Sequence, residues 1–126
     1  MDAEDLEDLF RPLGRVTTKR MFSGRGIYAD DVIFALDING EVFLKTDEQT
    51  RPLFEAAGLR PFSYEAPRGT VSTSYWLLPP AAYDDEAELL KWGRLGLEAG
   101  RRFAAKKPAI KKKAAAKRSP RAKPAR

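Results

Sequence analysis

The strand pattern of this chain is clearest over residues 26–45, which read GIYADDVIFALDINGEVFLK. Short apolar runs are separated there by two turn signals, Asp30-Asp31 and Asn39-Gly40. Asn and Gly tolerate the positive φ angles of a type I′ turn, whose twist matches the strands that it joins. The stretch therefore predicts an antiparallel meander. Because a hairpin cannot bury its own apolar face, we expect helices from elsewhere in the chain to cover it.

A first helix is predicted over residues 3–13. Asp2 or Asp5 is expected to cap its start and Gly14 to end it, because Asp accepts bonds from free N–H groups and Gly terminates helices. A first strand is predicted from Val16 to Phe22. The apolar face of the helix follows helical spacing and consists of Leu6, Leu9, Phe10 and Leu13.

A second helix is predicted between the meander and residue 57. Thr46, with Gln49 three residues later, has the spacing of a capping box that would start the helix at residue 47. A start nearer Arg51 would instead place Pro52 in the first turn, where its missing N–H has little effect. The buried face is expected to consist of Leu53, Phe54 and Ala57.

Two more strands and a long third helix complete the predicted domain. Aromatic residues alternate in the strands, 61–65 and 71–77, as half-buried strands require. The helix begins at Asp84 or Asp85, and each of its interior glycines lowers helix propensity by up to about 1 kcal/mol. Close approach of the helix to the sheet or to a second subunit would offset that effect. These glycines are Gly93, Gly96 and Gly100.

The predicted fold class is therefore α+β. It has two layers, in the chain order helix, strands, helix, strands, helix, with an antiparallel sheet. The domain is expected to occupy residues 1–103. Residues 104–126 are expected to form a disordered basic tail rich in Lys, Ala and Pro, because few apolar side chains remain there to drive folding.

Charge is divided unevenly along the 126 residues. All 18 acidic residues lie in 1–100 together with 11 basic ones, whereas residues 101–126 hold 12 basic residues and no acid. The chain is thus an acidic domain with a cationic extension. In composition, that extension resembles the tails of linker-histone-type proteins.

The chain contains no cysteine and no histidine. Disulfides, thiolate chemistry, the commonest general base and the commonest metal ligand are therefore excluded. The carboxylates fall at predicted helix starts or turns, where capping accounts for them, so we expect no enzyme, cofactor or metal site. The N-terminus is unlike a secretory signal, and no apolar run approaches the ~20 residues that span a bilayer. We expect a soluble cytoplasmic protein without a membrane partner.

Basic residues form the candidate site for a partner. A flexible cationic tail that meets DNA releases counterions, which favours non-specific duplex contact, and with no aromatic residue beyond Phe103 it offers no base stacking. The alternative is a solubilising extension. On the first strand and the following loop, a solvated basic face competes with a small anion or nucleic-acid contact. The candidate contacts are Lys19, Arg20, Arg25, Lys106, Lys107, Lys111, Lys112, Lys113, Lys117, Arg118, Arg121, Lys123 and Arg126.

Several blocks of sequence occur in order across about residues 5–100. They read RMFSGRGIY (20–28), FAL (34–36), FLKTDE (43–48), PFSYE (61–65) and SYWLLP (74–79). Together they closely resemble the TfoX/Sxy N-terminal domain, although Ser23 stands where Gly is frequent in that family and Arg25 where an aromatic residue is frequent.

The resemblance implies a two-layer α/β domain with an antiparallel sheet, similar to the secretion-chaperone-like architecture. It also implies a link to bacterial regulators of competence, which act on transcription. Those regulators carry a second, C-terminal domain, where this chain has its basic tail. No catalytic residue is available to carry over from the family.

Three functions fit these features. The first is a TfoX-like regulatory module whose folded part contacts protein while its tail contacts DNA. The second is a nucleoid-associated, sequence-independent DNA binder whose folded part serves as a spacer or as the unit of a homodimer. The third, a chaperone-like peptide binder, is suggested by architecture alone.

Overall fold

The described part of the chain is built on one antiparallel sheet of six strands. The computed structural model describes residues 1–21 and 24–116, with side chains as far as residue 106. The strands are β1 (Thr17–Met21), β2 (Gly24–Ala29), β3 (Val32–Ile38), β4 (Glu41–Lys45), β5 (Pro61–Ala66) and β6 (Gly69–Leu77). They lie in the order β1-β2-β3-β4-β6-β5, and every neighbouring pair is antiparallel.

Within the described residues, three α-helices accompany the sheet: α1 (Ala3–Leu9), α2 (Arg51–Ala56) and α3 (Glu86–Ala116), with a 3₁₀ helix at Pro80–Tyr83 before the last. The predicted α+β class and element order are confirmed. Helix α3 passes the predicted domain boundary at residue 103 and continues to Ala116. Ala and Lys favour helix, and an existing helix needs no new nucleus to extend. Residues 117–126 of the predicted disordered tail lie outside the described residues.

The meander is closed by two turns of the same kind. Asn39 and Gly40 have φ angles of 53° and 86°, and the register Ile38↔Glu41 makes them a two-residue hairpin loop, as predicted. Asp30 and Asp31 also have positive φ angles, 51° and 66°. Asp tolerates this region better than most residues because its short polar side chain bonds locally.

Helix α1 has the predicted cap but is shorter than predicted. Asp2 accepts a hydrogen bond from the N–H of Asp5 (2.8 Å), and the Asp5 carboxylate accepts one from the N–H of Asp2 (3.3 Å). The helix ends at Leu9 because Pro12 has no N–H with which to extend the ladder. Turns follow as far as Gly14, whose φ is 135°.

The start of α2 follows the second of the two predictions. The helix begins at Arg51 and holds Pro52 in its first turn. The capping box at Thr46 and Gln49 is wrong, because the Thr46 hydroxyl donates instead to the carbonyl oxygen of Ser74 in β6 (2.8 Å). That partner lies on a distant strand, which local spacing does not reveal.

The predicted buried face of α2 is correct at one residue of three. Phe54 is fully buried, and its ring packs edge-on against Trp92 of α3 at 4.9 Å between centroids. Leu53 is 50% exposed and Ala57 is also exposed. A helix of six residues reaches the core with a single side, and Phe54 occupies it.

Helix α3 lies close against β3 and β4, as its glycines predicted. A β carbon at Gly100 would lie 2.8 Å from the carbonyl oxygen of Ile33, and one at Gly96 would lie 3.1 Å from Leu44 side-chain atoms. Such distances leave no room for a larger residue without a shift of the neighbour. The glycines therefore offset their low helix propensity by allowing close packing.

A β-bulge in β3 brings two successive residues toward the helices. Ile27 pairs with Ala35 and Tyr28 with Ile33, so Phe34 is an extra residue on its strand. Phe34 and Ala35 are both fully buried, and the Phe34 ring meets Phe10 edge-on at 5.3 Å. The bulge interrupts the alternation that a regular strand would impose.

Candidate nucleic-acid interface

The predicted basic group on β1 and β2 is divided between the two faces of the sheet. Lys19 and Arg20 are successive residues of one strand and therefore point to opposite faces. Lys19 pairs with Gly26, whereas Arg20 pairs with Arg25. The structure thus brings two of the three predicted contacts together and separates the third.

The Arg20 and Arg25 pair lies among acids. Both line a surface pocket with Asp2 and Asp37, and Arg25 is the cross-strand partner of Asp37. The pKa of Asp2 is lowered, mainly by the backbone N–H of Asp5 and more weakly by Arg25. Asp37 is almost fully buried, 3.5 Å from the amino group of Met1. Two carboxylates thus offset most of the positive charge of the two arginines and the Met1 amino group, which favours the solvated basic face over an anion site.

The other candidate contacts belong to residues 101–126, called the cationic segment below. Lys106 is exposed on α3. The backbone of α3 also includes Lys107, Lys111, Lys112 and Lys113, whose side chains are outside the description. At 1.5 Å per residue, the helix extends about 20 Å beyond Phe103. Five candidates lie outside the described residues: Lys117, Arg118, Arg121, Lys123 and Arg126.

A bidentate ion pair joins the start of the cationic segment to the folded domain. Arg102 Nε donates to Asp47 Oδ2 at 2.6 Å, and a terminal guanidinium nitrogen donates to Oδ1 at 3.1 Å. The side-chain hydrogen bond from Arg102 is the main reason that the pKa of Asp47 falls to about 2. Asp47 also accepts from the N–H groups of Gln49 and Thr50, so its position is fixed on both sides.

The face of the sheet opposite the helices carries aromatic and apolar side chains, and we call it the open sheet face. Its members follow from the register, because cross-strand partners share a face and residues alternate along each strand. A β carbon at Gly26 would lie 3.0 to 3.1 Å from side-chain atoms of Met21, Tyr28 and Ile33, which locates these three on this face. The aromatic residues of the open sheet face are Tyr28, Phe43, Phe62, Tyr64 and Tyr75, and its lysines are Lys19 and Lys45.

Cations and rings lie close together on the open sheet face. Lys19 Nζ is 4.8 Å from the centroid of the Tyr28 ring, and Lys45 Nζ is 5.2 Å from that of Tyr75. Burial raises the pKa of Tyr75, and the nearby Tyr28 hydroxyl raises it further. Lys45 Nζ also lies 4.1 Å from the Phe103 ring of α3. The Lys45–Tyr75 pair therefore adjoins the start of the cationic segment.

The sequence contained a signal for this surface. Phe62 and Tyr64, like Tyr75 and Leu77, lie two residues apart on strands with one face available to solvent. Several aromatic side chains close together on that face, with Lys45 beside them, distinguish this surface from a sheet face that carries only polar side chains. The pairing of β6 with both β4 and β5, which joins the rings into one surface, required the structure.

The described residues offer few other kinds of site. They contain no group of three carboxylates that could hold a metal ion. No described helix combines the length and apolarity needed to cross a bilayer.

A family model described as the TfoX N-terminal domain matches residues 8–100. The match begins within α1, includes the whole sheet and ends inside α3, before the cationic segment. No curated protein matches the chain.

Proposed function

The chain belongs to the TfoX N-terminal domain family, and we propose that it is a regulatory protein that acts at DNA, in the control of transcription or competence. In this proposal the folded domain contacts a protein partner. The cationic segment contacts the phosphates of duplex DNA without reading base sequence. The family match supports a TfoX-like regulatory protein, and the charge distribution supports the DNA contact.

The observation that carries the proposal is the segregation of charge. Residues 101–126 hold 12 basic side chains and no acid, whereas the preceding hundred residues have an excess of acid. Each phosphate contact by Lys or Arg releases condensed counterions, so the segment gains affinity for DNA that the acidic domain lacks. Base reading needs side chains that reach groove edges in a fixed geometry, which a run of Lys and Ala does not provide.

Helix α3 supports the same proposal through its continuity. The helix runs from the sheet into the cationic segment without a break as far as Ala116. The Arg102–Asp47 pair, with N–O distances of 2.6 and 3.1 Å, holds α3 against the domain at the start of the cationic segment. The segment therefore has a fixed origin, which keeps the acidic domain beside the DNA.

A salt titration tests the DNA contact. In the full chain, Lys111, Lys112 and Lys113 are replaced together by Gln, and the affinity for a random-sequence duplex is measured across salt concentrations. The slope of log affinity against log salt should become shallower by roughly 0.9 for each lost phosphate contact, up to about 3 in total.

The matched control removes the same charge from the folded domain. Arg68, Lys91 and Arg94 are exposed there and are replaced together by Gln. We expect the slope of this control to remain close to that of the unmodified protein. An equal change of slope in both variants would contradict a DNA contact specific to the cationic segment.

Capture from a bacterial lysate, with and without nuclease, tests the protein partner. A partner that remains bound after nuclease treatment supports the regulatory proposal. Loss of every partner on nuclease treatment would favour the nucleoid-associated DNA binder instead.

A further inference from the structure

We propose that the open sheet face binds single-stranded nucleic acid, with bases stacked on its aromatic rings and phosphates paired with Lys19 and Lys45. This site goes beyond the proposed duplex contact. It uses different residues, and its ligand is recognised by stacking as well as by charge.

The first observation is the exposure of large apolar side chains on this face. Tyr64 is 49% exposed, Met21 43% and Val71 38%. They lie on three strands, β5, β1 and β6, and the register places all of them opposite the helices. Tyr64 and Val71 are cross-strand partners and form one exposed apolar pair, whereas Met21 lies at the opposite edge of the sheet. Single exposed apolar residues are ordinary, but contiguous ones indicate a contact surface.

The second observation is the arrangement of the rings. The centroids of Phe62 and Tyr64 are 6.3 Å apart at one side of the face, and Phe62 lies against the buried ring of Phe43, which is 2% exposed, at 5.4 Å. Tyr28 and Tyr75 each lie beneath a lysine ammonium, at 4.8 Å and 5.2 Å from the ring centroids. Every base has a flat π face, so such a surface accepts bases of any sequence.

The third observation is the charge of the face. Its strands contribute Lys19 and Lys45, of which Lys45 also donates a hydrogen bond to the Ser74 hydroxyl at 2.7 Å, and the one carboxylate that the register places there among described strand residues is Glu41. Arg60 neutralises Glu41 at 3.2 Å, and its guanidinium lies 5.9 Å from the Phe43 ring. A domain with an excess of acid thus has a face with an excess of base. A polyanion that carries flat rings matches both properties.

The lysine positions also show how a base could enter. The ammonium of Lys19 lies over the Tyr28 ring, so a charged group reaches that ring face from the solvent side. Lysine has a flexible four-carbon stem, so a stacking base can displace the ammonium from the ring toward the adjoining phosphate. The cation and the ring then contact two parts of one nucleotide.

A single strand fits this face better than a duplex. Bases in a duplex stack on one another and present only edges, whereas unpaired bases can be splayed onto aromatic side chains. Six strands about 4.8 Å apart give a broad surface, on which a duplex would meet the sheet mainly through phosphates. The rings would then contribute nothing.

The test compares loss of the rings with loss of the hydroxyls. In the full chain, Tyr28 and Tyr64 are replaced together by Leu, which keeps an apolar side chain, or together by Phe, which keeps the ring. The probes are an oligothymidylate of about 12 nucleotides, an abasic strand of the same length and a matched duplex. Affinities are measured across salt concentrations, so that stacking separates from charge.

We expect the Leu variant to bind the oligothymidylate about 5-fold to 100-fold more weakly than the unmodified protein, because stacking contributes that much per base. The Phe variant should remain within about twofold of the unmodified protein, because a phenyl ring also stacks. The abasic strand and the duplex should not distinguish the Leu and Phe variants. The Lys111, Lys112 and Lys113 substitutions should weaken all probes without removing the difference between Leu and Phe, which keeps this test independent of the duplex proposal.

Equal affinity of the Leu and Phe variants for the oligothymidylate would overturn the proposal. So would ring-dependent binding of poly-glutamate in place of the oligothymidylate, which would assign the face to an acidic protein. A dimer of the unmodified protein that dissociates in the Leu variant would assign it to a second copy of the chain. If the double Leu variant melts early, Tyr64→Leu alone carries the test, since that ring is half-exposed and should still account for about a fivefold loss.

Discussion

At the scale of single residues, the Arg102–Asp47 pair gives a test of how α3 is fastened to the domain. Replacement of Arg102 by Gln should lower the free energy of unfolding by about 1 kcal/mol at pH 7, since the pair is bidentate but partly exposed. The folded-state pKa of Asp47 is depressed from 3.8 to about 2, so its stabilisation is complete above pH 4. It is lost as the pH falls toward 2, and urea unfolding at several pH values should show the two proteins converge.

Arg101 provides the control for this prediction. Its contact with Asp30 is longer, 3.8 Å, and more exposed. Replacement of Arg101 by Gln should change the free energy of unfolding by less than about 0.5 kcal/mol at any of these pH values. An equal effect of the two substitutions would show that Arg102 does not anchor the helix.

Sequence reasoning succeeded at the residue scale where the interaction was local. Asn39-Gly40 and the Asp2 cap needed only neighbours within a few residues, and the structure confirmed both. It failed at Thr46, whose hydroxyl prefers a carbonyl in β6. Asp47 and Arg102 are 55 residues apart, so no local spacing indicates their contact.

At the scale of secondary-structure elements, two glycines of α3 should respond to Ala in opposite ways. A β carbon at Gly100 would lie 2.8 Å from a backbone oxygen, which cannot move without the strand, so Gly100→Ala should destabilise by about 1–3 kcal/mol. One at Gly93 would lie 3.3 Å from the flexible side chain of Leu13. Gly93→Ala should therefore be neutral or stabilise by up to about 1 kcal/mol, because Ala favours helix.

Thermal and urea unfolding of the two variants measure this contrast. Both substitutions add one methyl group to the same helix, so helix propensity alone predicts equal stabilisation. If Gly100→Ala were as stable as Gly93→Ala, the close approach of α3 to β3 would be wrong.

The elements themselves were predictable to different degrees. The order of helices and strands followed from periodicity and turn residues. The placement of Lys19 and Arg20 on opposite faces of the sheet was also predictable, because successive residues of any strand point to opposite faces. The bulge at Phe34 could not be predicted from the sequence, because it depends on how β2 and β3 pair. The open sheet face likewise emerged only when the order of the six strands was known.

At the scale of the whole molecule, three surfaces have different charge and chemistry. The helical side covers the core and carries acidic helix starts on α1 and α3. The open sheet face combines aromatic rings with lysines. The cationic segment begins within α3, directly after the part matched by the family, which ends at residue 100. We propose duplex contact for the segment and single-strand contact for the sheet.

Backbone amide chemical shifts of the full chain, titrated first with a duplex and then with an oligothymidylate, test this division most directly. The duplex should shift amides of residues 101–126 and leave the six strands nearly unchanged. The oligothymidylate should in addition shift amides around Lys19, Tyr28 and Tyr75. Shifts concentrated on α1 and α2, or an identical response to both ligands, would contradict the account.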